Sequence, residues 1–358
     1  MGTNNVEGGI TRREFLWASG GLFVLASGLG LVGCGAQGAK APATGAATSG
    51  AAADPVTLRV AYMPTLGSSS TIFTGIDQGF FKEQNITVEP QQFQKGPQEI
   101  QAMQAGDIDI SEIGHGAHSL ALKGQATVIA LDQLSKADAV VANKAKGISQ
   151  ASDLKGKTVG VASGTSSQII LTYVLQKAGL TTSDITPVEM DVAGMTTAIV
   201  AGQIDAAATW SPNKLAIKQQ LGENYVELGT NEDFVDKVTF PASFVVTPDY
   251  AKANQDVLVR FGVAVLKAQK YRAENIDEVA KATAKDISVD EATFVQSEDE
   301  GDWQTCVDAV GDTDKVKDIY DAQQQAFIDS KAIDTKVPVE NYVDFDLIKA
   351  YTEKYQQA

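Results

Sequence analysis

The sequence is poor in cysteine and in arginine. Of 358 residues only two are cysteine, Cys34 and Cys306, so a fold that begins after Cys34 has no disulfide of its own. Beyond residue 34 the only arginines are Arg59, Arg260 and Arg272. None falls in a loop that we place at a cleft. The sequence therefore predicts no bidentate guanidinium clamp for an anion.

The chain also lacks an excess of positive charge. It has 29 Lys and Arg residues against 45 Asp and Glu residues, which gives a formal net charge of −16. The acids are spread along the chain, and no basic stripe is present for nucleic acid or anionic lipid. This acidity favours solubility. It does not exclude an anionic ligand, because a local site with hydrogen-bond donors can attract an anion despite the negative net charge of the protein.

The first 33 residues predict an export signal. Arg12 and Arg13 precede an apolar run over 17–33, and a twin arginine in this position is an export address. The run is too short to favour a membrane-spanning helix of about 20 residues. It ends in "LVGC", which resembles the bacterial lipobox and implies cleavage before Cys34 and a diacylglycerol on its sulfur. The alternative is an uncleaved transmembrane anchor.

Residues 34–55 consist mainly of Gly, Ala, Thr and Ser, which predicts a flexible tether with too little apolar surface to fold. Two acyl chains on Cys34 would give stable anchoring. The sequence thus predicts a soluble body held at the outer face of the cytoplasmic membrane. About 300 residues remain for that body, enough for two hydrophobic cores.

Strand and helix patterns alternate through the body, which predicts βα units and mainly parallel sheets. We expect two lobes, with 56–140 and 246–358 in lobe 1 and 141–245 in lobe 2. The extended segments 139–144 and 242–248 are interpreted as the two crossover strands. The fold class is α/β with additional C-terminal helices.

The C-terminal part of the chain has long helical patterns, of which "QDVLVRFGVAVLKAQKYRA" is the clearest. We expect these helices to pack against lobe 1. The acidic helices from about Asp290 onward are interpreted as structural, with charged faces in solvent.

The pentapeptide Ala-Gly-x-Ile-Asp occurs at 105–109 and again at 201–205. Each copy ends a helical pattern, and Gly106 and Gly202 suit the left-handed residue that stops a helix. Each then starts a strand, which leads to the loops "GHGAH" and "TWSPN". Ligands of open α/β sheets bind at such strand ends. We therefore expect both loops at a cleft between two lobes of similar plan.

Three stretches carry a family resemblance: "GFFKEQNITVEPQQFQKGPQEIQAMQAGDIDISEIG", "SDLKGKTVGVASGTSSQIILTYVLQKAGL" and "AIVAGQIDAAATWSPN". They resemble the substrate-binding proteins of ABC importers, in the nitrate, sulfonate, taurine and thiamine-pyrimidine group. The resemblance implies a two-lobed periplasmic-binding-protein fold. It also implies a monomer that works with a membrane permease and captures a small anion, with an aliphatic sulfonate as the leading candidate. Nitrate, bicarbonate and a thiamine pyrimidine remain alternatives, and neither metal nor cofactor is implied.

The strongest candidate for ligand contact is the loop "ASGTSSQ", which contains Ser163, Gly164, Thr165 and Ser166. It offers hydroxyls and N–H groups at the start of a helix, where the orphan donors and the helix dipole favour an anion. The alternative is ordinary N-capping by Ser and Thr.

The loop "LGSSS" of lobe 1 offers the same chemistry through Ser68, Ser69 and Ser70, although it could be only a turn. The two histidines, His115 and His118, fall in the loop after the first repeat. No third or fourth ligand lies nearby, so the sequence predicts no zinc site.

We expect His115 and Gly116 to contact the ligand, with His115 donating to an anion. An ordinary histidine pKa would let this ring carry a positive charge at mildly acidic pH. The alternative is a histidine that merely begins a helix after a glycine-rich turn.

Trp210 and Phe240 are expected to form an apolar wall of the cleft, although Trp210 could serve only the core. Sulfonate-binding relatives often follow this tryptophan with an acid and a proline. Here Ser211 stands in place of the acid. An amine-bearing sulfonate such as taurine is therefore less favoured than a sulfonate with an uncharged tail.

An enzyme on the same fold is the third hypothesis, since the family fold also includes desulfinases and a pyrimidine synthase. A desulfinase would need a cysteine nucleophile, and Cys306 lies in "GDWQTCVDAV", away from every predicted cleft loop. Acids on both sides would disfavour its thiolate. The sequence therefore predicts a binding protein without catalytic residues.

Overall fold

The structure is a computed structural model that describes residues 53–357. The predicted export signal, Cys34 and nearly all of the tether lie outside the described residues. Among the residues described, no helix is both long and apolar enough to cross a membrane.

Two separate β-sheets form the body. The first has six strands in the order β11-β4-β10-β3-β1-β2, in which β1, β2 and β3 are parallel and β10 runs antiparallel to β3 and β4. Its strands are β1 Val56–Tyr62, β2 Ile86–Gln92, β3 Ile110–Ile113, β4 Thr127–Ser135, β10 Pro241–Val246 and β11 Gly301–Asp302.

The second sheet has five strands in the order β7-β6-β8-β5-β9, with β6 parallel to β7 and β8 and with β5 antiparallel to β8 and β9. Its strands are β5 Asp138–Asn143, β6 Thr158–Val161, β7 Thr186–Glu189, β8 Ala206–Trp210 and β9 Tyr225–Thr230. The prediction of a two-lobed α/β fold is confirmed.

Helices cover the sheets, so the central strands are buried on both faces and contain mostly apolar residues. The helices are α1 Leu66–Asp77, α2 Phe80–Glu83, α3 Gly96–Ala105, α4 His118–Leu122, α5 Ser166–Lys177, α6 Val192–Val200, α7 Asn213–Leu221, α8 Pro248–Ala253, α9 Gln255–Glu274, α10 Ile276–Asp286, α11 Glu291–Val295, α12 Trp303–Ala309, α13 Thr313–Asp329 and α14 Phe345–Gln356.

The C-terminal helices pack mainly on lobe 1, as the sequence predicts. The long helix α9 contacts α1, α12 and α14, and the last two also contact β4. Helix α13 reaches further, because the hydroxyl of Tyr173 on α5 donates to Asp329 at 3.0 Å. The C-terminal segment therefore touches both lobes.

The crossovers differ from the predicted positions. Strand β5 lies entirely in the second sheet and β10 entirely in the first. The chain therefore changes lobe at 136–137 and again within 231–240, instead of within the predicted segments 139–144 and 242–248. These strands read as crossovers because they are fully buried and apolar, yet burial within one sheet produces the same pattern.

The repeat makes the same hydrogen bond in each lobe, between its aspartate and the backbone of a neighbouring strand, and we call this contact a brace. Gly106 and Gly202 are left-handed, with φ of 81° and 70°, as predicted. The following Asp109 accepts from the backbone N–H of Arg59 at 2.8 Å, and Asp205 accepts from that of Thr158 at 2.9 Å. Asp109 thus fastens β1 to β3, and Asp205 fastens β6 to β8.

A basic side chain completes each brace. Arg59 donates to Asp109 at 2.7 Å and to the carbonyl of Gly106 at 2.7 Å. In lobe 2, Lys146 donates to the carbonyl of Gly202 at 3.0 Å and lies 3.9 Å from Asp205. The braces occupy the amino ends of β3 and β8, which leaves the carboxyl ends free to face the cleft.

Candidate functional site

A cavity of about 70 Å³ lies between the lobes, at the carboxyl ends of the strands. The loops after β1 and β3 line it from lobe 1, and those after β6 and β8 line it from lobe 2. Residues 135–138 at the first crossover and 297–303 before α12 complete the wall. A bound water needs about 10–15 Å³ on the same scale, so the cavity has room for a small solute.

The serine loops serve largely as helix caps. In lobe 1, Thr65 Oγ1 accepts from the N–H of Ser68, and Ser68 Oγ accepts from the N–H of Met63 at 2.9 Å. Helix α1 consequently begins at Leu66, so "LGSSS" is its first turn instead of the predicted loop. Of the three predicted serines, only Ser68 lines the cavity.

Ser69 and Ser70 are buried below that turn. Ser69 Oγ donates to the carbonyl of Thr65 at 2.6 Å, and Ser70 Oγ accepts from Arg272 at 3.1 Å. Neither is among the residues that line the cavity. The Ser69 hydroxyl thus closes the first turn of α1, and the Ser70 hydroxyl joins α1 to Arg272 on α9.

In the loop "ASGTSSQ" of lobe 2, too, only some of the predicted residues line the cavity. Thr165 and Ser166 line the cavity, whereas Ser163 and Gly164 lie at its exposed rim. The hydroxyl of Ser163 donates to Glu189 at 2.5 Å, and the N–H of Gly164 donates to the side chain of Gln168 at 2.9 Å. Thr165 caps α5 by accepting from the N–H of Ser167.

His115 lines the cavity, but it is not a charged donor. Its ring packs against Phe240 and Phe327, with centroid distances of 4.7 and 5.2 Å. Burial, and then the nearby His118, lower the pKa of His115 well below its usual value. The imidazole is therefore neutral at mildly acidic pH, which corrects the expectation of a positive charge.

His118 lies in the interior of lobe 1. Its Nδ1 faces the carbonyl oxygens of Gly114 and His115, so the opposite nitrogen accepts from Ser243 at 2.8 Å. Burial lowers its pKa to about 4. No group of three or more His, Cys, Asp or Glu side chains within 53–357 is spaced to hold a metal ion.

Two tryptophans line the cavity. Trp210 occupies the predicted wall, whereas Phe240 packs behind His115 and does not reach the cavity. The second indole is that of Trp303, whose N–H donates to the carbonyl of Glu298 at 2.8 Å. The cavity therefore offers aromatic surface from both lobes.

Three acids that were not predicted from the sequence line the cavity: Glu112 on β3, Asp138 on β5 and Glu300 before β11. By strict distance and angle, four of their oxygens make no hydrogen bond within the described chain: both of Glu112, Oδ1 of Asp138 and Oε2 of Glu300. The hydroxyls of Ser68 and Ser166 lie near enough to oppose the rise in pKa of Glu112 and Asp138, respectively. Such unpaired acceptors are costly, and a ligand with donors would satisfy them.

The acids differ in ionisation. Burial, and then the charge of Asp132, raise the pKa of Glu112 to about 8, so this carboxyl is largely protonated at neutral pH. Burial also raises the pKa of Asp138. At neutral pH Glu112 can thus both donate and accept a hydrogen bond.

No lysine or arginine lines the cavity in the part of the chain described. Arg272 is buried behind the wall, where it pairs with Asp132 at 3.2 Å and stacks 4.8 Å from the Trp303 ring. Lys214 pairs with Glu300 at 2.5 Å. The positive charges near the cavity are therefore already neutralised by carboxylates.

The lobes touch along one edge of the cavity. A Cβ on Gly116 would lie 2.2 Å from the carbonyl carbon of Thr165 in the opposite lobe, closer than any side chain permits. Gly116 is thus a contact between lobes, in addition to its place in the cavity wall. This close approach requires glycine and shows that the two lobes touch at this edge of the cavity.

A charged residue in a short strand is the signal that could have indicated Glu112. It lies between Ser111 and Ile113 in β3, and all four residues of that strand are buried. A strand buried on both faces rarely carries an unpaired acid without a function. Glu300 gave no such signal, because its segment is acidic throughout.

Cys306 lies on α12, fully buried. Burial raises the pKa of its thiol far above the usual value, which opposes formation of a thiolate. It does not line the cavity.

The NMT1/THI5-like family model matches residues 68–279. This match spans more than half of the chain. The chain belongs to the NMT1/THI5-like family. The family recognition made from the sequence is therefore confirmed.

Two relatives illustrate the range of the family. A proposed binding protein of Brucella abortus is 32% identical over 244 residues, which cover 68% of this chain and 76% of that protein. A proposed aliphatic sulfonates-binding protein of Bacillus subtilis is 27% identical over 351 residues, covering 94% and 97%.

Solved structures share the fold. The nitrate-binding protein of Synechocystis has a TM-score of 0.69 at 13% identity, covering 85% of this chain and 90% of that one. The alkanesulfonate-binding protein of Xanthomonas axonopodis, bound to MOPS, has a TM-score of 0.66 at 21% identity, covering 82% and 99%. These neighbours are two-lobed binding proteins, in agreement with the two sheets described above.

Proposed function

We propose that this protein is the extracytoplasmic solute-binding component of an ABC importer, anchored through a lipid on Cys34. Its relatives are binding proteins. Its cavity lies between two lobes, which is a usual position for a ligand site. The solute is captured between the lobes, and the closed protein docks on a membrane permease.

The chemistry of the cavity favours a solute with N–H donors, such as an aminopyrimidine. The observation that carries this choice is the set of acceptor oxygens of Glu112, Asp138 and Glu300 in the wall, with no lysine or arginine among the lining residues described. An anion would bring further acceptors to these oxygens and would meet no free positive charge among the described lining residues. An amino group would instead satisfy them.

Glu112 sharpens the choice. A carboxyl with a pKa of about 8 holds its proton at neutral pH, so it can donate to a ring nitrogen and accept from a neighbouring amino group. The indoles of Trp210 and Trp303 supply flat surfaces for an aromatic ring. Of the solutes considered from the sequence, a thiamine-type pyrimidine fits this wall best.

An aliphatic sulfonate is the second candidate. The Bacillus subtilis relative, which aligns over nearly the whole chain, favours it. The starts of α1 and α5 at the cavity, near Ser68 and Ser166, also provide backbone N–H groups of the kind that bind anions.

Isothermal titration calorimetry of the protein with an aminopyrimidine, ethanesulfonate, taurine, nitrate and bicarbonate tests the proposal. We expect heat of binding with the aminopyrimidine, lost in Glu112→Leu and retained in Glu89→Leu, which alters an exposed residue of β2. Binding of ethanesulfonate alone would reject the pyrimidine and keep the receptor. Absence of binding in the whole panel would exclude both candidate solutes.

A further inference from the structure

The side chain of Gln323, on helix α13, is bonded to His115 in the cavity wall. Its Nε2 lies 3.1 Å from the carbonyl oxygen of His115 and 3.2 Å from Nδ1 of the imidazole. Gln323 is 0% exposed and His115 is 2% exposed, so solvent does not compete for these contacts. Phe327, four residues further along the same helix, packs on the same ring.

The contact with the carbonyl determines which way the amide of Gln323 faces. A carbonyl oxygen only accepts hydrogen bonds, so the atom of Gln323 beside it is the NH2 nitrogen and not the amide oxygen. That nitrogen carries a second hydrogen, which is available to Nδ1 of His115. Nδ1 therefore accepts a hydrogen bond and carries no proton.

The other ring nitrogen of His115 then holds the only ring proton. Burial, and then the nearby His118, keep the pKa of His115 well below its usual value, so the ring is neutral and has one N–H group. This group is at Nε2, which is buried and makes no hydrogen bond within the described chain. The rings of Phe240 and Phe327 beside it offer no oxygen or nitrogen acceptor.

The two histidines of the chain are thus held in opposite tautomers. In His118, Nδ1 faces the carbonyl oxygens of Gly114 and His115 and carries the proton, whereas Nε2 accepts from Ser243 at 2.8 Å. The hydrogen bond at one nitrogen of a neutral imidazole decides which nitrogen is protonated. Because the sequence contains only two histidines, each ring can be observed separately by NMR.

We propose that Gln323 is a positioning residue that holds His115 as the Nε2–H tautomer, so that the cavity wall contains a fixed and uncharged hydrogen-bond donor. Without the NH2 group of Gln323, nothing beside Nδ1 would keep the proton on Nε2. The helices from about Asp290 onward, which the sequence indicates as structural, therefore also determine the chemistry of a residue that lines the cavity.

The consequence for specificity rests on the proposed function. The acids of the wall accept hydrogen bonds from a solute, whereas His115 donates one. The solute therefore brings an acceptor for His115, such as a ring nitrogen or a sulfonate oxygen. A solute with an N–H group at this position would place two donors against each other and would be rejected.

¹⁵N NMR of the histidine rings, in protein without added solute, tests the proposal. In the wild type we expect an unprotonated Nδ1 and a protonated Nε2 in His115, and the reverse in His118. In Gln323→Met, which roughly conserves volume and removes the donor, the two nitrogen shifts of His115 should move towards each other as the tautomers mix. The signals of His118 should not move. Loss of one set of signals in His115→Phe assigns the rings.

The matched control is Gln325→Met, on the same helix, where the amide donates to Asp329 at the surface. It should leave the spectrum of both rings unchanged. A proton on Nδ1 of His115 in the wild type, or unchanged shifts of His115 in Gln323→Met, would overturn the proposal. The wild-type spectrum needs no variant, and Gln323→Leu replaces Gln323→Met if that variant does not fold.

Calorimetry with the aminopyrimidine and ethanesulfonate separates this proposal from the proposed function. His115→Phe retains an aromatic ring beside Phe240 and removes the donor, so the affinity for the solute that binds the wild type should fall about tenfold. Unchanged affinity in His115→Phe would contradict the donation to the solute. If neither solute binds the wild type, the proposed solutes are rejected, and the ring spectra, recorded without solute, still decide the part of Gln323.

Discussion

The two lobes are built alike at one end and differ at the other. At the amino ends of the strands, Asp109 and Asp205 make the same backbone hydrogen bond and each lies beside a basic side chain. The two copies of the repeat lie 96 positions apart, so each residue of the first copy corresponds to the residue 96 positions later. At the carboxyl ends of the strands, Glu112 of lobe 1 therefore corresponds to Ala208 of lobe 2. Only lobe 1 thus places an acid in the cavity from this strand.

The loops that follow the repeat diverge in the same way. His118 of lobe 1 corresponds to Lys214 of lobe 2. His118 bonds to Ser243 inside its own lobe, whereas Lys214 pairs with Glu300 of the other lobe. The repeat therefore supports the scaffold, and the chemistry of capture lies in the positions where the copies differ.

The largest effect is expected from replacing Glu112, the acid of lobe 1 that has no counterpart in lobe 2, and concerns the pH dependence of the free energy of unfolding. The folded pKa of Glu112 is about 8, above its ordinary value of 4.5, so the folded state holds the proton more tightly. Its contribution to stability is complete below pH 4.5 and is lost as the pH rises through 8, by at most about 1.4 kcal/mol per pH unit.

Urea unfolding of Glu112→Gln between pH 5 and 9 checks this. We expect the variant to lose stability less steeply with rising pH than the wild type does, with the difference reaching a few kcal/mol at pH 9. Some dependence will remain, because burial also raises the pKa of Glu99. Parallel curves for the two proteins would show that Glu112 is ionised throughout.

The second effect concerns the contact between the lobes. Gly116→Ala places a Cβ where only 2.2 Å separates it from the carbonyl carbon of Thr165, so the lobes cannot close fully. If the closed fraction falls tenfold, the apparent affinity falls about tenfold as well. Calorimetry with the identified solute and solution scattering should both report the change.

Gly194→Ala is the control for that substitution. Its added Cβ would have no atom within 4 Å, and Gly194 lies on α6, outside the residues that line the cavity. We expect wild-type affinity and shape. An equal loss of affinity in Gly194→Ala would show that the effect of Gly116→Ala does not depend on the contact between the lobes.

The fold was predictable to a large extent because hydrophobic periodicity and helix stops are local. The strand that ends at Tyr62, the left-handed Gly106 and Gly202 and the packing of α9 on lobe 1 all follow from patterns of a few residues. The crossovers were misplaced, because strands β5 and β10 are apolar for reasons of sheet position alone.

The site was predictable only in part. Ser68, His115, Gly116, Thr165, Ser166 and Trp210 do line the cavity, because loops at the carboxyl ends of parallel strands converge. Asp138, Glu300 and Trp303 come from a crossover and from the C-terminal segment, whose approach to the cavity depends on long-range packing. The ionisation of His115 depends on aromatic neighbours as distant as Phe327.

The next effect concerns stability, which we expect to fall further when the brace of Asp109 is removed than when that of Asp205 is removed. Asp109 accepts from the Arg59 side chain at two atoms as well as from its backbone, whereas Asp205 has one backbone bond and a longer ion pair. We expect Asp109→Ala to lower the free energy of unfolding by about 2–3 kcal/mol and Asp205→Ala by about 1 kcal/mol.

Urea unfolding measures that difference, and Asp107→Ala, at an exposed neighbouring position, serves as the control. The control should change stability by less than about 0.5 kcal/mol. Equal losses in Asp109→Ala and Asp205→Ala would mean that the side-chain bonds of Arg59 add nothing to the backbone bond.

The smallest effect is expected at a second ion pair between the lobes. Lys95 lies 3.8 Å from both Glu189 and Asp191, but those acids are 53% and 56% exposed. Such a pair contributes about 0.5 kcal/mol and is screened by salt, so Lys95→Gln should change affinity by about twofold. A tenfold or larger loss of affinity in Lys95→Gln, or a loss that high salt does not reduce, would contradict this prediction, because a screened surface pair cannot contribute that much.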